Sequence, residues 1–67
     1  MDEELFTKQL MVENKIFYVD LKTNHNGMYL KISEKSGGKK HNVLLPSSGI
    51  KEFKTVIDEI SEYIDNR

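Results

Sequence analysis

The sequence predicts an α+β fold, a four-stranded antiparallel sheet followed by one C-terminal helix. Three observations predict it. Apolar and polar residues alternate with a period of two through most of residues 5–45, Asn and Gly cluster between the alternating runs, and beyond the single proline, Pro46, apolar residues recur at helical spacing instead.

The first strand is expected over Leu5–Glu13, with Phe6, Lys8, Leu10 and Val12 on one side and Thr7, Gln9 and Met11 on the other. Asn14-Lys15 then forms a tight link into the second strand. There Phe17, Val19 and Leu21 share the core side, while Tyr18, Asp20 and Lys22 share the second face. Thr23–Gly27 is dense in residues that tolerate positive φ, so a hairpin turn is expected, centred on Asn26-Gly27. The third strand, Met28–Glu34, repeats the layout: Leu30 and Ile32 are apolar, with Tyr29, Lys31 and Ser33 opposite. Ser36–Lys40 reads as a flexible basic loop. His41–Leu45 forms the fourth strand, ended by Pro46, which has no N–H to continue a ladder. The Ser47-Ser48 pair then offers an N-cap for a helix of about four turns. Ile50, Phe53, Val56, Ile57, Ile60 and Ile64 form its apolar stripe, and Lys51, Glu52, Lys54, Asp58, Glu59 and Glu62 its solvated face.

One helix covers one face of such a sheet, yet the first strand carries Met11 opposite Leu10 and Val12, so something else is needed to cover the surplus. A chain of 67 residues also buries only about 60% of its unfolded surface. No cysteine is present to staple it through disulfides or a thiolate metal site. A second subunit is the expected supplement. The opening MDEELFTKQL lacks the basic-then-apolar layout of a secretory signal, and no apolar run approaches membrane-spanning length. A single domain in the cytoplasm, away from the membrane, is the expectation.

The formal net charge of −1 is unevenly spread. Residues 1–4 hold three acids, and residues 47–67 hold five acids against three bases. Residues 5–46 hold seven lysines against Glu13, Asp20 and Glu34. The expected sheet is therefore basic and the helix acidic, a division that orients a polyanion toward one face. Tyr and Lys together on a sheet face suit single-stranded nucleic acid, where rings stack on bases and lysines hold phosphates. Taken alone, Tyr18 and Tyr29 read more simply as a cross-strand aromatic pair or as filler in a dimer interface.

The stretch Lys15–Gly38 resembles the PUR repeat, the unit of the PUR-alpha family of single-stranded DNA and RNA binders. Asn14, Lys15, Phe17, Tyr18, Asp20, Lys22, Asn24, Gly27, Leu30, Lys31, Ile32, Gly37 and Gly38 match its pattern in order, and the match extends more loosely through the helix. The resemblance implies a ββββα repeat that spans residues 1–67 and forms half of an intertwined, Whirly-like PUR domain. A chain with one repeat would then homodimerise, with the helix of each copy packing against the other and Ile57, Ile60 and Ile64 at the interface. It also implies a nucleic-acid site. Polar residues flanking the second strand, here Asn14, Lys15, Lys22, Asn24 and Asn26, would contact bases and backbone. Tyr29, where the family has Phe, and Tyr18 would stack, and Lys31 would join Lys15 and Lys22 on phosphates.

The implied function is recognition of single-stranded, purine-rich DNA or RNA in transcriptional or translational regulation. Three departures predict weaker binding than in the eukaryotic members: Glu13 where the pattern often has Gln, Asn26 where a base is common, and Met28 in place of Arg. Each lost ionic contact flattens the salt dependence by about 0.7 in log–log slope. A dimeric protein-interaction module that lacks nucleic-acid binding is the competing reading. Catalysis has no positive support: His25 and His41 lie in a turn and beside a loop, Ser47 and Ser48 read as caps, and Gly37-Gly38-Lys39-Lys40 lacks the phosphate-loop spacing. No cofactor or metal is expected.

Overall fold

A computed structural model describes residues 2–67. Four strands, β1 (Glu3–Val12), β2 (Lys15–Asn24), β3 (Gly27–Ser36) and β4 (Lys39–Pro46), form one antiparallel sheet in the order β1-β2-β3-β4. A 3₁₀ turn over Ser47–Gly49 leads into helix α1 (Ile50–Asp65). The ββββα order predicted from the alternation is the one observed.

The turns are tighter than the sequence suggested, and the strands correspondingly longer. Val12 pairs with Lys15, so Glu13-Asn14 is the whole β1–β2 turn, and Glu13 takes a φ of 56°. Asn24 pairs with Gly27, which centres the second turn on His25-Asn26, one residue earlier than expected. The Asn24 side-chain oxygen there accepts the Asn26 backbone N–H at 2.8 Å, and Gly27 takes the positive φ of the turn, at 119°. Ser36–Lys40 is not a flexible loop. Gly37 and Gly38 take φ of 56° and 78°, the paired left-handed conformations of a I′ hairpin, and Ser36 pairs directly with Lys39.

Strand register sorts the side chains. On one face lie Phe6, Leu10 and Val12 from β1, Phe17, Val19 and Leu21 from β2, Leu30 and Ile32 from β3, and Val43 and Leu45 from β4. On the other lie Tyr18, Lys22, Tyr29 and Lys31 with their neighbours. A bulge at Leu5 breaks the alternation of β1, because Phe6 is opposite Leu21 and Glu4 is opposite Lys22.

The helix does not cover the apolar face. It leaves β4 through the 3₁₀ turn, and every residue from Lys51 onward is exposed. The Ser47-Ser48 pair lies inside that turn, and Gly49, with no side-chain bond, occupies the N-cap position. Among the described residues no hydrophobic side chain is fully buried, and Ser33 alone is. The shape follows: the radius of gyration is 13.8 Å, whereas a compact chain of this length would have about 11 Å. Among the described residues, nothing forms a covering layer over the sheet's apolar face or over the helix stripe through Phe53, Val56, Ile57, Ile60 and Ile64.

Candidate nucleic-acid interface

The polar face is built in cross-strand rows. Glu4, Lys22, Tyr29 and Pro46 form one row; Thr7, Asp20, Lys31 and Leu44 form the next. Gln9, Tyr18, Ser33 and Asn42 follow, and Met11, Ile16, Lys35 and Lys40 complete the face. Alternation places these side chains here because β2 and β3 each put polar residues on every second position against an apolar opposite side.

The register rules out a directly opposed aromatic pair. Tyr18 is opposite Ser33 and Tyr29 is opposite Lys22. The two tyrosines are therefore offset by four residues, about 13 Å along the strand direction. They form two separate rings on one face, with Lys22 and Lys31 in the rows of and beside Tyr29.

Of the eight residues named from the sequence, Tyr18, Lys22, Asn24, Tyr29 and Lys31 share this face, and Asn26 lies in the turn at its β2–β3 end. Two lie apart from them. Lys15 is in register with Val12 and two pairs away from the Leu10–Phe17 pair, on the same, apolar side, where its Nζ stands 3.3 Å from Glu34 Oε2. Asn14 sits in the β1–β2 turn, at the opposite end of the ten-residue β2 from Asn24. Those ends are roughly 30 Å apart in an extended strand, so the two asparagines of one chain cannot touch the same base.

Other residues on this face were not singled out from the sequence. Lys35 and Lys40 are directly opposite each other and exposed, so like charges are paired across β3 and β4. They border a shallow depression together with Tyr18, Asp20, Lys31 and Ser33. Lys40 falls within Ser36–Lys40, which reads from the sequence as a loop, and Lys35 just past the third strand expected over Met28–Glu34. Asp20 accepts a hydrogen bond from the Thr7 hydroxyl across β1 and β2.

At the β2–β3 end a second concavity is lined by Asp2, Asn24, Asn26, Tyr29, Leu44 and Pro46. Here the Tyr29 hydroxyl donates to Asp2 Oδ2. That bond holds the Asp2 carboxyl below the usual value of 3.8, against the opposing effect of desolvation and with lesser help from Lys22. It correspondingly pushes the Tyr29 phenol above 10.0. The acids of residues 1–4, set apart from the sheet in the sequence reading, thus lie partly on its basic face.

The arrangement offers two half-buried rings, four lysines (Lys22 and Lys31 half-buried, Lys35 and Lys40 exposed) and the amides of Asn24 and Asn26 on one side of the sheet. Among the described residues no group of three or more His, Cys, Asp and Glu side chains is placed to hold a metal ion. Among the described residues no helix is long and apolar enough to cross a membrane.

Comparison with known proteins agrees with this chemistry. A family model described as PurA ssDNA and RNA-binding protein matches residues 2–66. The chain is 46% identical over 65 residues to Transcription factor Pur-alpha 1 of Arabidopsis thaliana, covering 97% of this chain and 21% of that protein. It is 37% identical over 65 residues to human Transcriptional regulator protein Pur-beta, covering 96% of this chain and 20% of that protein. Human Transcriptional activator protein Pur-alpha is 37% identical over 62 residues, covering 91% and 19%. The chain spans about a fifth of the length of these curated relatives.

Proposed function

The chain belongs to the PurA family of single-stranded DNA and RNA-binding proteins, and from that premise we propose that it binds single-stranded nucleic acid across the polar face of its sheet as a homodimer. Tyr29 and Tyr18 stack on bases, Lys22 and Lys31 hold phosphates, and Asn24 and Asn26 read base edges at the hairpin end. Lys35 and Lys40 extend the basic track toward the β3–β4 turn. Asn14, in the turn at the other end of β2, serves a separate stretch of nucleic acid, whereas Lys15, on the apolar side and paired with Glu34, stands outside this face. The observation that carries the reading is the shared face of Tyr18, Lys22, Tyr29 and Lys31, set by the β2–β3 register.

The dimer rests on a separate observation. An apolar sheet face and an apolar helix stripe, both uncovered, belong to the same chain. Two copies exchanging helices would cover both at once, with Ile57, Ile60 and Ile64 in the interface and each chain serving as one PUR repeat of the pair. The ligand on this reading is single-stranded DNA or RNA, with purine-rich strands preferred. The process is transcriptional or translational regulation in the cytoplasm, and the chemistry is binding, with no catalytic step.

The test is fluorescence anisotropy with labelled purine-rich and pyrimidine-rich single strands, DNA and RNA, and a duplex control at low and physiological salt. Saturable binding that prefers single strands is expected. Lys22→Ala with Lys31→Ala should weaken it about tenfold or more and flatten the salt slope by about 0.7 per lost contact. Unchanged affinity in that folded double variant would remove these lysines from the site. Absence of binding even at low salt would favour a protein-interaction module, to which the acids Asp2, Glu4 and Asp20 among the lysines would then belong.

A further inference from the structure

Asp2 is an anion already seated among the residues assigned to nucleic acid. Its carboxylate accepts the Tyr29 hydroxyl, and it shares the concavity at the β2–β3 end with Asn24 and Asn26. Lys22 is the direct cross-strand partner of Tyr29. Tyr29 belongs to β3 and Asp2 immediately precedes β1, so the tyrosine side chain reaches across β2 to make the bond.

The bulge at Leu5 is what delivers the acid there. In an unbroken strand Glu4 and Asp2 would share the face of Phe6, two and four residues on, which is the apolar one. One extra residue reverses that parity, and Glu4 comes opposite Lys22 with Asp2 at Tyr29. A carboxylate and a phosphodiester present the same chemistry to such a site, anionic oxygens that accept from a hydroxyl, an ammonium and an amide.

We propose that Tyr29, Lys22 and Asn24 form one phosphate-binding seat, that Asp2 fills it in the free protein, and that a backbone phosphate must displace Asp2 to bind. This rests on the nucleic-acid reading above and adds to it a named phosphate subsite and an internal competitor. Asp2 thereby lowers the affinity for every single strand alike, because the competition is for phosphate and carries no base information. It also holds Tyr29 across the sheet in the absence of ligand. The arriving phosphate takes over the Tyr29 hydroxyl, so the ring stays anchored on this face as it stacks.

The test compares Asp2→Asn with Glu3→Gln, which removes the same charge from the position opposite Thr23, on the sheet's other side. Each is titrated with the same single-stranded oligonucleotide at physiological salt, in the wild-type and Tyr29→Phe backgrounds. Asp2→Asn should tighten binding roughly three- to tenfold, and Glu3→Gln by less than about twofold, since an exposed charge away from the ligand is screened. The Asp2→Asn gain should shrink in the Tyr29→Phe background, where the hydroxyl that anchors the acid is gone. A carbon NMR titration of the Tyr29 ring checks the contact without ligand: its phenol should return toward 10.0 in Asp2→Asn. If the wild type binds and Asp2→Asn is no tighter than Glu3→Gln, the seat is wrong and the nucleic-acid reading stands. If no variant binds at low salt, both fall.

Discussion

Glu13 is the one non-glycine residue at positive φ among those described, at 56° in the β1–β2 turn. A side chain there carries the steric cost of the left-handed region, which glycine escapes. Glu13→Gly should therefore raise stability by about 0.5–1 kcal/mol, after allowing for the freer unfolded chain. Urea unfolding at fixed protein concentration measures it, and a loss of stability would mean the turn is held by something other than its backbone. Asp2 and Tyr29 add a pH dependence whose sign follows from their shifts. The Asp2 carboxyl is depressed, so its contribution is present above about pH 3.8 and is lost as pH falls through the lower folded value. The Tyr29 phenol is raised, so its contribution is present below pH 10.0 and is lost as pH rises through the higher folded value. Between those limits the contact is intact, and a solution binding experiment near neutral pH meets it at full strength.

At the scale of elements, the sheet carries a conflict that function would explain. Lys35 and Lys40 are directly opposed across β3 and β4, a pairing that costs roughly 0.2–1 kcal/mol in a sheet. Lys40→Thr should raise the thermal midpoint slightly, because it removes the repulsion and adds a good strand former. On the proposed reading the same change lowers affinity for single strands and reduces the salt slope by about 0.7. Increased stability with unchanged affinity would remove β4 from the interface. The helix shows the opposite balance, with Lys54 Nζ 2.9 Å from Asp58 Oδ2 on its solvated face and an apolar stripe that stays exposed among the described residues. That ion pair is exposed on both sides and contributes only a few tenths of a kcal/mol.

The whole molecule is an extended object, 45 × 31 × 16 Å, with no apolar side chain fully buried among the described residues. Chains of this size are marginal even with a closed core. On the dimer reading, size exclusion with light scattering should give twice the 7.8 kDa chain mass, and the thermal midpoint should rise with protein concentration. Ile60→Asp, on the uncovered stripe, should abolish the dimer and with it the cooperative unfolding transition. Ile60→Val keeps the stripe apolar and should retain both, which separates a helix interface from general sensitivity at the position. A monomer of 7.8 kDa with a concentration-independent midpoint would overturn the arrangement.

The sequence by itself determined the element order, the two-faced character of β2 and β3, and the residues of the apolar side. Each of these is local: a period of two or of 3.6 is written in consecutive residues. It also placed Tyr18, Lys22, Tyr29 and Lys31 together, because odd and even positions in a regular strand cannot mix. Lys15, at an odd position like Phe17 and Val19, falls by the same rule on the apolar side, apart from Lys22 and Lys31. Tertiary structure decided the rest. Whether Tyr18 is opposite Tyr29 or offset from it depends on hairpin register, which the exact turn residues set, and those lay one position from where composition pointed. The bulge at Leu5 reverses the parity of Asp2 and Glu4 and brings acids onto the basic face, with no local signal to mark it. The helix position is non-local in the same way. An amphipathic stripe states that something must cover it, and only the path of the chain after Pro46 decides that its own sheet does not.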